Sequence, residues 1–246
     1  MNKNILITGG TGFLGREMLR QLTAVNNGVL VAIGQSEKRI SEIKNVYKNA
    51  HFYCLDIAHD KVNLDFIVKK YNIQYIIHSA AMKHVSICEN NPYRAVEVNI
   101  IGSKNVVEIF QDNNLKNLIA ISTDKVINPT CVYGVTKFLM EKMVIEKNAS
   151  IYRGVNFLFS DGSVLDIWDK QRQSNTPIGI NTKNTIRYFV NIENVCSSII
   201  KNLDVHGQIL IPTKCYKIKL HDLAAAFSQI HDYYSSEDYH DLKVEK

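Results

Sequence analysis

The sequence predicts an α/β protein: a doubly wound parallel sheet with helices on both faces, followed by a small, reduced C-terminal annex. Three observations predict it. Short β-branched runs alternate with longer helical patterns through the first two-thirds of the chain, the strand candidates are continuously apolar, and a glycine-rich turn joins the first strand to the first helix. With 246 residues, 46% hydrophobic and 22% charged, the chain can bury a sizeable core, and neither disorder nor a repeat array fits it.

The elements follow in order. Asn4 to Thr8 is an apolar strand that runs into glycines, and the helix after Gly12 carries Leu14, Met18 and Leu22 on one face at steps of four. Strands are expected at Val29 to Ile33, Phe52 to Leu55, Tyr75 to His78 and Leu118 to Ile121, each apolar throughout as strands buried on both faces should be. Helices fill the gaps between them. One opens at Pro92, whose fixed φ suits a first helical turn, and presents Val98, Ile101, Gly102, Val106 and Ile109. After Lys147 the pattern loosens into Phe157 to Ser163 and a polar stretch around Gln171 to Asn184. A last strand, Gln208 to Ile211, precedes a helix from His221 to about Ile230, and Ile230 to Lys246 reads as a loosely held tail. The chain therefore divides into a first domain over 1–150 and a second region over 151–246, whose strand and helix partly return to the first.

Charge and composition narrow the function. The 29 Lys and Arg exceed the 24 Asp and Glu by five, but they are scattered from Lys3 to Lys246 rather than clustered, so no nucleic-acid partner is expected and an anionic small molecule is. The longest apolar runs reach five residues, as in Val29 to Ile33, far short of a membrane span. The segment from Met1 to Asn4 lacks the apolar core and cleavage site of a signal peptide, so a cytoplasmic protein without membrane attachment is expected. Cys54, Cys88, Cys131, Cys196 and Cys215 show no paired spacing and are expected as free thiols, mostly in the core, with no metal site.

The segment Thr8-Gly9-Gly10-Thr11-Gly12-Phe13-Leu14-Gly15 follows a strand and opens a helix, the context in which such a turn binds a dinucleotide. Gly9 permits the tight turn, Gly12 the approach of a pyrophosphate, and Gly15 close packing of helix on strand, while the helix N-terminus offers N–H donors. Residues 1–150 thus read as an NAD(P)-binding Rossmann domain. No acidic residue stands at the tip of the second strand to take a ribose 2′-hydroxyl; Ser36, Lys38 and Arg39 stand there instead and favour the 2′-phosphate of NADP over NAD, unless Lys38 and Arg39 are only a solvated helix start. Asp56 contacts the adenine or caps its own loop.

Tyr133 and Lys137 lie four apart on one helical face, where an ammonium favours the phenolate and lowers the tyrosine pKa. Ser122 and Thr123, at the tip of the preceding strand, are placed to hydrogen-bond a reacting oxygen.

Through Thr8 to Gly15, His78-Ser79-Ala80-Ala81 and Tyr133 to Lys137, the chain resembles the extended short-chain dehydrogenase/reductase family. Ala80-Ala81-Met82-Lys83-His84-Val85, Glu89-Asn90-Asn91-Pro92, Asn99-Ile100-Ile101-Gly102-Ser103 and Ser122-Thr123-Asp124-Lys125-Val126-Ile127-Asn128-Pro129 narrow that resemblance to the inverting UDP-N-acetylglucosamine 4,6-dehydratases. The likeness continues through Gly162-Ser163-Val164, Arg187-Tyr188-Phe189 and Gly207 to Pro212. The resemblance implies dinucleotide contacts from Gly9, Thr11, Gly12, Phe13, Leu14, Gly15, Ser36, Lys38, Arg39, Asp56, Ile57, Ser79, Ala80, Ala81, Asn99, Tyr133 and Lys137. It implies catalysis by Thr123, Asp124, Lys125, Tyr133 and Lys137, with Lys125 the base for H5 and Asp124 the acid for the departing 6-hydroxyl, both kept uncharged by burial in a closed pocket. Lys83, His84, Asn156 and Arg187 would contact the substrate, although Lys83 and His84 are equally readable as ordinary loop residues. The family's Arg-Tyr-Gly-Asn-Val strand appears here as Arg153-Gly154-Val155-Asn156-Phe157, and the short stretch from Val164 to Arg187 makes the substrate-binding annex a reduced one.

The expected activity is an NADP-dependent nucleotide-sugar 4,6-dehydratase of polysaccharide or glycan precursor synthesis, acting on UDP-N-acetylglucosamine or a related UDP-sugar as a homo-oligomer. A 4-epimerase or 4-keto-reductase would use Tyr133 and Lys137 but leave Asp124 and Lys125 without acid–base work. A non-catalytic dinucleotide sensor or scaffold would have no need of the Tyr133/Lys137 pair.

Overall fold

In the computed structural model, residues 1–180 and 185–230 are described. The tail expected after Ile230 and the end of the polar stretch, 181–184, lie outside the described residues. The described residues form two compact units: Met1–Gly154 with Ile192–Pro212, and Val155–Asn191 with the chain from Thr213. The boundary expected at residue 150 falls at the start of a strand, and a segment of the second region belongs to the first unit.

The first unit alternates strand and helix as the sequence pattern predicts: β1 Ile5–Thr8, α1 Phe13–Val25, β2 Leu30–Gly34, α2 Glu37–Lys44, β3 Ala50–Cys54, α3 Lys61–Lys70 and β4 Tyr75–His78. It continues with α4 Val85–Asn90, α5 Pro92–Val96, a π-helical turn Glu97–Ile101, α6 Gly102–Asp112, β5 Asn117–Thr123, a 3₁₀ turn Asp124–Val126, α7 Val132–Glu146 and β6 Ser150–Gly154. In the second unit, β7 Asn156–Phe157, α8 Val164–Gln173 and β8 Ile186–Val190 follow; α9 Ile192–Lys201 and β9 Ile209–Leu210 return to the first unit, and β10 Tyr216–Lys219 and α10 Leu220–Ile230 complete the second.

The first unit's sheet runs β3-β2-β1-β4-β5-β6-β9, parallel at every pairing. The chain reverses its direction of winding between β1 and β4, which leaves a crevice at the carboxyl ends of those strands, where open α/β sheets place their ligands. β1, β2 and β4 are buried at every residue, and Leu6, Val31, Ile76, Leu118 and Ile151 join Leu64 of α3, Val106 and Ile109 of α6, and Met140 and Val144 of α7 in one core. Each such aliphatic side chain contributes about 1.5–3 kcal/mol by leaving water. Asn72, Asn114 and Asn148 close α3, α6 and α7 in the left-handed conformation that ends a helix without glycine.

Four expectations are corrected. β3 is only partly buried, because it is the sheet's edge and lacks a neighbour on one side. Ser150–Gly154 is a strand where the sequence pattern shows the start of irregular chain; its polar ends obscure an interior that is fully buried at Ile151 and nearly so at Tyr152. The stretch read as polar, Gln171 to Asn184, buries Ile178 and Ile180 in one cluster with Leu165 and Trp168 of α8. Of the five thiols only Cys88 and Cys196 are buried; Cys131 is intermediate, and Cys54 and Cys215 are exposed.

The second unit has a three-stranded sheet, β10-β8-β7, antiparallel between β10 and β8 and parallel between β8 and β7. Its core gathers Leu165, Trp168, Ile178, Phe189, Leu220 and Phe227. Among the described residues no helix is long and apolar enough to cross a membrane.

Candidate active site

The glycine turn has the form that dinucleotide binding requires. Gly9 takes φ +68°, and a Cβ there would stand 2.7 Å from the backbone N of Ala80, so loop and β4 end are in direct contact. A Cβ on Gly15 would lie 2.4 Å from the Gly9 carbonyl, whereas one on Gly12 would meet only that carbonyl, at 3.2 Å, and otherwise point into open space. No side chain caps α1 and no acidic residue occupies its first turn, so nothing opposes an anion at its positive end. The open side of Gly12 is a cradle that any side chain would fill, and the residues present therefore fit a bound pyrophosphate.

At the tip of β2, Ser36 caps α2 by accepting a hydrogen bond from the Arg39 amide at 3.3 Å, and Lys38 and Arg39 are exposed on the first turn. Asp56 behaves as a loop cap: one oxygen accepts from the Ala58 amide at 2.9 Å and the other from Arg94 at 2.6 Å. Burial raises its pKa, but the Arg94 and Ala58 hydrogen bonds outweigh that and hold the carboxyl below its usual range. Ile57 is buried beneath Gly102, and Ser79 returns its hydroxyl to the Thr8 carbonyl at 2.7 Å.

A buried hydrogen-bond chain runs from this loop to α7. Ser103 donates its single hydroxyl proton to the Asn99 carbonyl at 2.7 Å, so the 2.8 Å contact between Ser103 and His78 must be donated by His78 Nε2. His78 Nδ1 then accepts from the Thr8 hydroxyl at 2.6 Å, which makes the ring a neutral Nε2–H tautomer. Burial, and behind it the charge of Lys137, lowers the His78 pKa to about 3. Asn99, in the π-helical turn, grips both the N–H and C=O of Met82 and donates to the Thr136 hydroxyl at 3.0 Å; Thr136 in turn donates to the Tyr133 carbonyl at 3.0 Å. The glycine loop and Tyr133 are thus tied through five intervening side-chain hydrogen bonds.

β5, its 3₁₀ turn and α7 bring Ser122, Thr123, Asp124, Lys125, Tyr133 and Lys137 together. Cys131 Sγ accepts from the Gly134 amide at 3.4 Å and Glu89 of α4 accepts from the Val132 amide at 2.7 Å, which fixes the first turn of α7. Tyr133 is half-buried and hydrogen-bonded to the Thr123 side chain; desolvation pushes its pKa well up, the Thr123 bond opposes this, and the Asp124 charge adds to it. The expected depression of the Tyr133 pKa by Lys137 is therefore not what the structure has. The Lys137 amine lies 3.0 Å from Met140 Sδ instead, and burial lowers its own pKa to about 7 against the opposing pull of Glu141.

Asp124 and Lys125 also depart from expectation. They are not enclosed: their side chains are 37% and 38% exposed, and they form a salt bridge at 3.2 Å, with Asp124 Oδ1 also accepting from the Thr123 hydroxyl at 3.0 Å. Directly beside them the Ser122 hydroxyl is buried with no hydrogen-bond partner. An unsatisfied buried hydroxyl costs about 1–3 kcal/mol.

Lys83 and His84 are exposed, the latter at the start of α4. Asn156 and Arg187 belong to the second unit, where Asn156 donates to the Tyr188 carbonyl at 2.8 Å and exposed Arg187 to the carbonyl of Ile186 at 3.2 Å. Sequence reasoning assigned no role to Thr8, His78, Ser103, Thr136 or Glu141. Thr8, His78, Ser103 and Thr136 lie within the motifs that carry the resemblance, and Glu141 is the next step of four after Tyr133 and Lys137. Among the described residues, no cluster of three His, Cys, Asp or Glu side chains is placed to hold a metal ion.

A model of the family described as polysaccharide biosynthesis protein matches residues 5–245. The chain is 31% identical over 234 residues to a protein of Methanocaldococcus jannaschii named an uncharacterized membrane protein, covering 90% of this chain and 69% of that one. It is also 31% identical over 240 residues to the UDP-N-acetylglucosamine 4,6-dehydratase (inverting) of Campylobacter jejuni, covering 92% of this chain and 71% of that enzyme. Among solved structures, that of Pen from Bacillus thuringiensis is similar with a TM-score of 0.86 at 27% identity, over 92% of this chain and 73% of that one. With the glycine cradle, the parallel seven-stranded sheet and the Tyr133/Lys137 pair already in place, these likenesses show that the chain belongs to the polysaccharide biosynthesis protein family of extended short-chain dehydrogenase/reductase fold, whose members include the inverting UDP-N-acetylglucosamine 4,6-dehydratases.

Proposed function

We propose that the protein is a nucleotide-sugar 4,6-dehydratase acting on UDP-N-acetylglucosamine or a related UDP-sugar with NADP as its dinucleotide. One observation carries the reading: the Thr123-Asp124-Lys125 turn and Tyr133 form one hydrogen-bonded group at the carboxyl end of β5. The bound dinucleotide would accept hydride from C4 of the sugar and return it at C6. Tyr133, oriented by Thr123, receives the proton of the 4-hydroxyl. Burial opposes the phenolate this role requires, so a cation must come close to it, and Lys137, one turn along α7, would supply that charge by turning its amine from Met140 toward Tyr133.

Elimination across C5 and C6 needs a neutral amine and a carboxylic acid. The 3.2 Å contact between Lys125 Nζ and Asp124 Oδ1 provides the route, since one proton moving along it turns the ion pair into that neutral pair. Lys125 then takes H5 and Asp124 protonates the leaving 6-hydroxyl, and as hydride returns to C6 a solvent-exchanged acid returns a proton to C5. A substrate covering both side chains favours the neutral pair by removing water from around it.

Exposed Lys38 and Arg39, which outnumber Glu37 on the first turn of α2, support the NADP preference. Exposed apolar side chains on α5 (Tyr93, Val96), the π-helical turn (Ile101) and α7 (Val135, Phe138, Leu139) support self-association. Mass spectrometry of UDP-N-acetylglucosamine incubated with the protein and NADP tests the reaction: loss of one water is expected. The exposure of Asp124 and Lys125 favours a 4-epimerase as the second reading, and an isomeric product that retains its 6-hydroxyl would establish it.

A further inference from the structure

Tyr133, Lys137 and Glu141 are spaced four apart along α7 and so share one face, leading away from the reaction centre into the protein. Lys137 and Glu141 are 2% and 5% exposed. A buried lysine with a buried glutamate one turn below it would ordinarily close into an ion pair, strongly so where water is absent. Here the glutamate is taken. Arg153, on β6 beside Ser122, holds both Glu141 oxygens with Nε at 3.1 Å and Nη2 at 2.6 Å, while the Lys137 amine meets the Met140 thioether. A two-point guanidinium contact fixes the direction of a carboxylate as well as balancing its charge.

We propose that the Arg153–Glu141 ion pair is a positioning device for the reaction centre: by holding the Glu141 carboxylate toward β6, Arg153 keeps it from closing on Lys137 and leaves that amine free to turn toward Tyr133. The role given to Lys137 rests on the dehydratase reading; the geometry of the pair does not. The titratable groups acting on Lys137 are Glu141 on α7 and His78 on β4, with Arg153 of β6 behind Glu141; Tyr133 lies one turn away on the same face of α7. His78 stays uncharged above about pH 3, so over the working range the carboxylate is the charge that acts on the amine. Burial disfavours the ammonium and Glu141 favours it; releasing Glu141 from Arg153 strengthens the second effect, and removing Glu141 abolishes it.

The test follows the Lys137 amine by NMR of the intact protein labelled at lysine Cε and Nζ, with the signal assigned by Lys137→Arg. Arg153→Met is expected to raise the Lys137 titration midpoint by about one pH unit or more. Glu141→Gln lowers it, and Arg153→Lys, which keeps the charge, leaves it near the wild-type value. In turnover, Arg153→Met lowers kcat with KM for the nucleotide sugar unchanged, and Arg153→Lys restores most of the rate. Equal midpoints in folded Arg153→Met, Glu141→Gln and wild-type protein overturn the proposal and leave the pair as a tie between α7 and β6. Where Arg153→Met does not fold, the double variant Arg153→Met/Glu141→Gln decides: a midpoint below wild type supports the proposal, and one at or above it overturns it. Failure of the dehydratase reading shows separately, as no loss of water by the wild-type protein, and leaves the order of midpoints untouched.

Discussion

Tyr133 and Lys125 separate two chemical stations. Tyr133→Phe removes one hydroxyl and its bond to Thr123, which costs stability about 0.5–1.5 kcal/mol, yet it is expected to stop both cofactor reduction and dehydration. Lys125→Ala is expected to leave cofactor reduction intact and block elimination, so that in a single turnover the NADPH absorbance rises and persists. Dehydration at the native rate by Lys125→Ala would remove Lys125 from the chemistry. Lys137 makes a prediction about stability. Its folded pKa, about 7, lies below the ordinary 10.5, so between these values the unfolded chain binds the extra proton and stability rises with pH. The penalty for a buried ammonium is full below about pH 7 and gone above about pH 10.5. Lys137→Met should therefore be more stable than wild type in urea near pH 6, by a few kcal/mol, with the gap narrowing at up to about 1.4 kcal/mol per pH unit as pH rises toward 10. A gap independent of pH would show that packing rather than charge is at issue.

Among the elements, the glycine turn yields a paired test. Gly15→Ala drives a Cβ into the Gly9 carbonyl and should destabilise the fold by roughly 1–3 kcal/mol. Gly12→Ala meets little protein, so the melting temperature should hold while calorimetry shows dinucleotide affinity falling roughly tenfold or more. Equal effects of the two on stability would mean that Gly12 serves packing and not a ligand. Calorimetry with both dinucleotides tests the tip of β2 in the same way: NADP should bind more tightly than NAD, and Lys38→Ala should narrow the difference. The helix opened by Pro92 was legible from its apolar spacing, but the π-helical turn within it was not. Asn99 sits in that turn, and its grip on Met82 and Thr136 joins residues far apart in sequence.

At the scale of the whole molecule, the chain's one tryptophan reports on the second unit. Trp168 is buried there, donates to the Gly179 carbonyl at 3.0 Å and packs on Phe227 with ring centroids 5.7 Å apart. Among the described residues the second unit gathers a much smaller core than the first, and small cores are marginal. In urea, Trp168 fluorescence should change at lower concentration than the far-ultraviolet circular dichroism, to which the large sheet and its helices contribute most. Coincident transitions would show that the two units unfold as one.

The sequence by itself determined the winding of the first unit, because strands buried on both faces and a glycine turn leave periodic, local marks. It also singled out Tyr133 and Lys137 by a spacing that is itself local, and Thr123, Asp124 and Lys125 through the family resemblance. What it could not hold is anything set by partners distant along the chain. β6 became visible only beside β5, which supplies the hydrogen bonds that make Ser150–Gly154 a strand. The pairing of charges turned on the same kind of neighbour: Asp124 and Lys125 meet each other in partial exposure, while Lys137 is stripped of water beside a glutamate that Arg153 has already engaged. Periodicity records which face of an element is buried, but only the packed structure decides which charges are desolvated together, and desolvation is what sets their protonation.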